Sequence, residues 1–470
     1  MILSENIKTK KVIKAGMWYT ISNFLIRALS LISTPIFARL LSVNEFGEYS
    51  NFISWMTILT ILTTMDLHST INRARFDFKD DVDGYISSIT ITSLIIPSIF
   101  YLITVIFMDF FRNFLSMKDF YIHLMYLSII FSSAINIFQA KQRIDYEYKK
   151  SVIVAFLTSI LTVFVSILLV LLMNNKLNGR IIGQTFPAIF VNICLAFFLI
   201  KKGKKFNYDY AKYAVTICLP YIPHLLAMNI LSQYDRIQIN KICGPTFTAL
   251  YSMAYSCALI INIFLNSLNN AWSPWLGEKL NEKKYLDIKT ASRKYLLIFL
   301  AIGILIFFIT PEILLIIGGK KYSTAIYVMP PIIAGSIFQF IYTLYVNIEM
   351  FEKKVWRVAL ATGVAAIINI FLNQIFIEKY GYIAAAFTTM FCYMILCLFH
   401  YLNVKRLKLT MVYDTKFIIL VMLATLLLMV VTYLIYDNYI VRYILILIYI
   451  IFAILFVKKN KTNILLILKK

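Results

Sequence analysis

FIILVMLATLLLMVVTYLIY, residues 417–436, runs without a single charge, and YILILIYIIFAILFV, residues 443–457, follows after a short break. A bilayer core about 30 Å thick needs roughly 20 mostly apolar residues per helical crossing. Lipid offers no partner to an open strand edge, so a spanning segment is either a helix or part of a closed barrel. These runs neither alternate in polarity nor stop at the length of a barrel strand. They are read as transmembrane helices, and being apolar all round they look like peripheral additions.

Working outward, the same pattern fills the chain. Spans are expected at 15–38, 47–70, 84–108, 119–140, 151–173, 181–200, 212–239, 248–272, 292–310, 325–348, 356–377, 381–402, 416–436 and 440–457. The fold class is therefore all-α: a polytopic membrane protein with about fourteen transmembrane helices. Composition agrees. Of 470 residues 60% are hydrophobic and 15% charged, whereas soluble domains run near 45–50% and about 25%. No segment is long and polar enough to fold as a catalytic or nucleic-acid-binding domain, so no enzyme and no nucleic-acid partner is expected.

The net charge of +23 is distributed as loops facing anionic lipid would have it. With the N-terminus placed in the cytoplasm, 34 of the 46 lysines and arginines fall in or beside inside segments, and ten beside outside ones. That bias places both termini in the cytoplasm of a multi-pass cell-membrane protein. Lys8, Lys10, Lys11 and Lys14 precede the first span, which is too long for a signal peptide and lacks a small-residue cleavage site. It is expected to stay.

Residues 38–50, ARLLSVNEFGEYS, and 240–252, NKICGPTFTALYS, each close a span, cross a short loop and open the next on Tyr-Ser. The offset is six spans, an even number, so the repeats enter from the same side and are parallel. The expected division is residues 1–205 for helices 1–6, 206–405 for helices 7–12 and 406–470 for the last two. The two six-helix lobes would enclose a central cavity.

Ionisable side chains inside spans are functional candidates by default. Arg27 lies roughly 20 Å into the first span at 1.5 Å per residue. Asn23 and Ser30 share its helix face. Arg236 stands beside Asp235 toward the outer end of the seventh span, with Gln233 on its own side. Arginine suits phosphate, because its planar fork donates two parallel hydrogen bonds. Arg27, Arg236, Asn23, Ser30, Gln233 and Asp235 are the candidate substrate-binding residues. Asp66 and His68, in the inner half of the second span, with His224 and the helix-breaking Pro220 and Pro223, are candidates for coupling or gating. Arg73 and Arg75 read as anchors at the cytoplasmic mouth. The six cysteines and four histidines match no metal motif, so neither metal nor cofactor is expected.

The stretch LPYIPHLLAMNILSQYDRIQINKICGPTFTALYSMAY, residues 219–255, resembles the seventh-to-eighth helix signature of bacterial polysaccharide (O-antigen-type) flippases. These are members of the multidrug/oligosaccharidyl-lipid/polysaccharide exporter superfamily. Pro220, Pro223, His224, Asp235-Arg236 and Tyr251-Ser252 carry the match. NAWSPWLGE (270–278), ARLLSVNEFGEYS and NIFLNQIFIEKYGYIAAAFTT (369–389) extend it over most of the chain. The resemblance implies alternating access by two six-helix lobes. It implies an oligosaccharide on a polyprenyl pyrophosphate, carried from the inner to the outer leaflet for surface-polysaccharide assembly. Expected partners are that lipid-linked oligosaccharide, membrane lipids, and polysaccharide polymerase and chain-length machinery. Two alternatives stay open: a cation-coupled multidrug exporter, disfavoured by a first span without a carboxylate, and a flippase for the peptidoglycan lipid precursor.

Overall fold

The computed structural model describes residues 18, 25–26 and 28–459. Among them the chain is all-α with no strand. Seventeen helices follow in order. Unit 1 and its boundary hold α1 (Ala28–Leu40), α2 (Val43–Thr64), α3 (Ile71–Asp77), α4 (Val82–Ile106), α5 (Met108–Leu115), α6 (Asp119–Ile144), α7 (Tyr148–Leu172), α8 (Lys176–Gly203), α9 (Tyr208–Cys218), α10 (Ile222–Ile242) and the start of α11 (Pro245–Asn281). Then come α12 (Tyr285–Ile317), α13 (Met329–Phe351), α14 (Val355–Tyr380), α15 (Ala384–Arg406), α16 (Thr415–Ile435) and α17 (Tyr439–Lys459). Among the described residues eleven helical segments are long and apolar enough to cross a membrane, and Ala28–Leu40 and Tyr439–Phe452 are shorter apolar helices. With α2, these account for the fourteen expected spans; most of 15–38 before Ala28 lies outside the described residues.

The chain forms two compact units, Met1–Ser252 and Met253–Lys470. In the first, α2, α4, α6 and α8 pack on one another, with α7 on α8 and α10 on α2. Two glycines let α7 and α8 approach closely. A Cβ on Gly183 would stand 2.3 Å from the Ser166 Cα, and one on Gly179 would stand 2.6 Å from the Leu169 carbonyl. Small residues one turn apart allow such backbone contact in membrane helices. A third close approach brings α2 against α11: a Cβ on Gly47 of α2 would fall 1.7 Å from the Pro245 carbonyl oxygen at the start of α11. Ser42 caps α2 in a reciprocal box, accepting from the Glu45 N–H at 3.2 Å while its own N–H meets the Glu45 carboxylate at 2.7 Å.

In the second unit α13 is the most deeply buried candidate span, packed by α12, α14, α15 and α16. Its core side chains, such as Ile333, Phe338 and Ile341, are fully enclosed.

Three expectations change. The span expected at 47–70 stops at Thr64; Met65 and Asp66 take left-handed φ of 54° and 53°, and a 3-10 turn, Leu67–Thr70, leads into α3. Aspartate tolerates that conformation better than most residues, so the polar Asp66–Thr70 stretch leaves the helix. The outside connections expected at 174–180 and 311–324 are shorter, because α8 starts at Lys176 and α12 runs to Ile317. Finally, α17 is not a featureless addition. Its Arg442 is buried and forks onto Glu312 of α12 with two bonds of 2.7 Å.

Four helices end in the same unusual way. Lys204 after α8, Lys283 after α11, Lys353 after α13 and Lys408 after α15 each have φ between 56° and 59°. That left-handed position at a helix end usually belongs to glycine.

Candidate substrate site

The seventh span is built from two helices. Proline lacks a donor and its ring crowds the preceding turn; here Pro220 lies in the 3-10 turn Leu219–Tyr221 between α9 and α10, and Pro223 lies in the first turn of α10. Both prolines are exposed. His224 follows, its ring centroid 5.5 Å from that of Tyr221 and its Nδ1 without a hydrogen-bond partner.

Two turns further on, α10 presents the expected polar stripe. The Arg236 guanidinium donates to the Gln233 side-chain oxygen at 2.8 Å and to the Ser232 carbonyl at 2.7 Å. Gln233 in turn lies 3.5 Å from the Ser54 hydroxyl of α2. Arg236 is only half-buried, so one edge of its fork is held by its own helix. Asp235 points elsewhere, as a 100° step per residue requires. It is fully buried and accepts from the Tyr251 hydroxyl at 2.5 Å, which ties α10 to α11. Ser30 is exposed on α1, with its carbonyl accepting from Ser33 and Thr34. Asn23 and Arg27 lie outside the described residues.

Asp66 and His68 face each other at 3.1 Å on the turn after α2, each about one-third exposed. The Cys218 thiol at the end of α9 reaches the Asp66 carbonyl and the Ser69 hydroxyl, both at 3.7 Å. A turn beyond, Asp77 accepts from Tyr213 and from Arg73. Those two contacts, Tyr213 first, hold its carboxyl below the usual carboxylate range. The cluster thus joins the α2–α3 turn to α9, next to the proline break.

Several buried polar groups escaped the sequence reading. Arg180 of α8 lies in a buried site, donating to Tyr49 at 2.7 Å, Ser166 at 2.9 Å and Gln184 at 3.2 Å, beneath the rings of Phe37 and Tyr49. It lies one residue before the span expected at 181–200. Glu349 of α13, one residue past the expected end of its span, meets His400 of α15 at 2.8 Å with both side chains enclosed. Asn403 lies 3.4 Å from the same carboxylate. An amide–hydroxyl network, Asn369 to Thr389 at 3.0 Å and Asn373 to Thr388, links α14 and α15. The signal for Glu349 was an acid one residue past the end of an otherwise uncharged span. The others needed to know which helix face is covered.

Comparison with known proteins places this architecture. The profile of the family described as "Polysaccharide biosynthesis protein" matches residues 12–279, and that of the MatE family matches residues 220–375. A curated relative, "Lsg locus putative protein 1" of Haemophilus influenzae, is 24% identical over 332 residues, covering 67% of this chain and 79% of its own. Among solved structures, the lipid II flippase MurJ in an inward closed conformation superposes with a TM-score of 0.72 at 17% identity, over 94% of this chain and 99% of that one. An inward-facing multidrug resistance MATE family transporter of the MOP superfamily superposes with a TM-score of 0.63 at 14% identity, over 81% and 95%.

Proposed function

The chain belongs to the polysaccharide biosynthesis protein family, within the MOP superfamily of membrane flippases and transporters, and we propose that it moves a polyprenyl-pyrophosphate-linked oligosaccharide from the inner to the outer leaflet of the cell membrane by alternating access. The observation that carries this reading is the family match over residues 12–279, which includes the broken seventh span with its arginine stripe. In this reading Arg27 and Arg236 hold the pyrophosphate through paired N–H donors, with Gln233, Asn23 and Ser30 beside them. Asp235 sets the helix that carries Arg236. Asp66 and His68, with His224 and the Pro220–Pro223 break, serve coupling or gating. The division into residues 1–205, 206–405 and 406–470, with both termini cytoplasmic, belongs to the same proposal. So does assembly with polymerase and chain-length proteins. The chain performs no bond-making step on its cargo.

Purified protein in liposomes, offered a fluorescent polyprenyl-pyrophosphate oligosaccharide, a peptidoglycan lipid precursor and a cationic dye in parallel, tests it. The first substrate should change leaflet and be recovered chemically unaltered. Movement of the peptidoglycan precursor alone, or of the dye alone, sinks the substrate assignment. A lengthened or cleaved glycan sinks the transporter assignment.

A further inference from the structure

At one end of the first unit, α6 ends, α7 begins and α8 ends around a cavity of about 640 Å³. One wall is apolar, formed by Phe138, Ile153, Leu195 and Phe198; the other carries Lys141, Gln142, Asp145, Glu147, Lys150 and Lys202. The cavity is thus divided as a phospholipid is, between headgroup and chain.

The charges on the polar wall decide which headgroup fits. Lys150 pairs with Glu147 at 2.6 Å, Lys202 with Asp83 at 3.3 Å, and Lys141 with Asp83 and with Asp145, the latter at 3.5 Å. Each of the three lysines is thus already paired with a carboxylate, Asp145 and Glu147 on the wall and Asp83 outside the cavity lining. A multiply charged anion would find no surplus cation here. What the wall leaves unmet is one acceptor: the Gln142 side chain is 4% exposed, lines the cavity, and its Oε1 has no hydrogen-bond partner. A buried acceptor left unmet is costly, and an ammonium supplies the missing N–H with charge assistance. Asp145, one turn on, adds a second acceptor. Lys150 and Lys202 are about half exposed or more, and each ammonium keeps donors beyond its carboxylate contact.

We propose that this cavity binds one aminophospholipid of the adjoining leaflet, with a primary ammonium on Gln142 Oε1, the phosphate between Lys150 and Lys202, and a chain along Phe138 and Phe198. In the orientation proposed above this is the inner leaflet. The site is separate from the arginine stripe of α10. A quaternary choline has the charge but no N–H to donate, so the site discriminates between headgroups of equal net charge. Basic pockets between helices hold anionic lipids; this one, with its lysines already paired, selects a zwitterion.

Full-length protein, delipidated in detergent and titrated with phosphatidylethanolamine, phosphatidylcholine or phosphatidylglycerol, can be read by native mass spectrometry. The ethanolamine lipid should bind roughly tenfold better than the choline lipid, the weight of one charge-assisted hydrogen bond. Gln142→Leu should bring the two level, and Gln142→Glu should keep the preference. Ile153→Trp, which fills the apolar wall without touching the headgroup contacts, should weaken all binding and decides the matter if Gln142→Leu does not fold. Equal or better binding of phosphatidylglycerol overturns the proposal in favour of an anion site. A preference unchanged in a folded Gln142→Leu, binding unweakened in Ile153→Trp, or no preference in the wild type also overturns it.

Discussion

Arg180 and Arg236 both sit in apolar helices, and their surroundings separate their tasks. The Arg180 guanidinium is enclosed by Tyr49, Ser166, Gln184 and the Phe37 ring, contributed by α1, α2, α7 and α8 itself. Aromatic faces and neutral oxygens stabilise the cation without a carboxylate. Arg236 leans on Ser232 and Gln233 of its own helix and stays half-buried. Arg236→Ala is therefore expected to lower transport modestly at normal membrane abundance. Arg27→Ala should abolish transport, and Arg27→Lys should impair it, since an ammonium keeps the charge but loses the fork. Transport and abundance measured together check all three; wild-type transport by Arg27→Ala removes Arg27 from the substrate site. The Arg236–Gln233 contact was legible because it is local, three residues apart on one helix. The role of Gly47 was not, because it depends on a carbonyl about two hundred residues away. A methyl at Gly47 has no room beside Pro245, so Gly47→Ala should cost about 1–3 kcal/mol as overpacking does. An unshifted melting temperature for that variant in detergent would show the contact to be slack.

Among the elements, the seventh span shows most directly how sequence becomes form. Two prolines three residues apart give a 3-10 turn between α9 and α10, and the break falls beside the Asp66–His68 turn. Hydrophobic runs reveal such elements because lipid imposes their length. They do not reveal which face meets a neighbour, and so the Glu349–His400 pair between α13 and α15 went unread. Removing one member of an enclosed hydrogen-bonded pair leaves its partner's desolvation uncompensated. His400→Ala should therefore lower stability by about 1–3 kcal/mol, read as earlier thermal unfolding. Glu349→Gln, which can still hydrogen-bond His400, should lose less. Equal melting of His400→Ala and wild type would mean that α13 and α15 are held by their apolar contacts alone. Arg442 shows the same blindness at a helix start. As the fork onto Glu312 it fastens α17 to α12, a role that hydropathy alone does not show.

For the whole molecule, orientation is the expectation that reaches furthest. Reporter fusions at Asn175, exposed just before α8, and at Lys321, exposed between α12 and α13, should report the outside; cytoplasmic activity at either would break the fourteen-span topology. The count of spans was legible from hydropathy, and the family from ordered motifs. The packing into units at Ser252–Met253 was not, since contiguity in space need not follow the internal repeat. The left-handed lysines carry a consequence for how such a chain is made. At Lys204, Lys283, Lys353 and Lys408 a glycine would relieve a backbone strain of about 1–2 kcal/mol, and so would make the finished fold more stable. Each such glycine would also delete a positive charge from the end of a hydrophobic segment, where charge instructs the translocon during synthesis. The chain keeps the less comfortable residue at all four helix ends. Met65, Ser116 and Tyr146 take the same left-handed position after α2, α5 and α6, so what a glycine at the four lysines would remove besides strain is their charge. Replacing all four by glycine should yield protein that melts later yet inserts with a larger misoriented fraction, as protease accessibility in inverted vesicles would reveal.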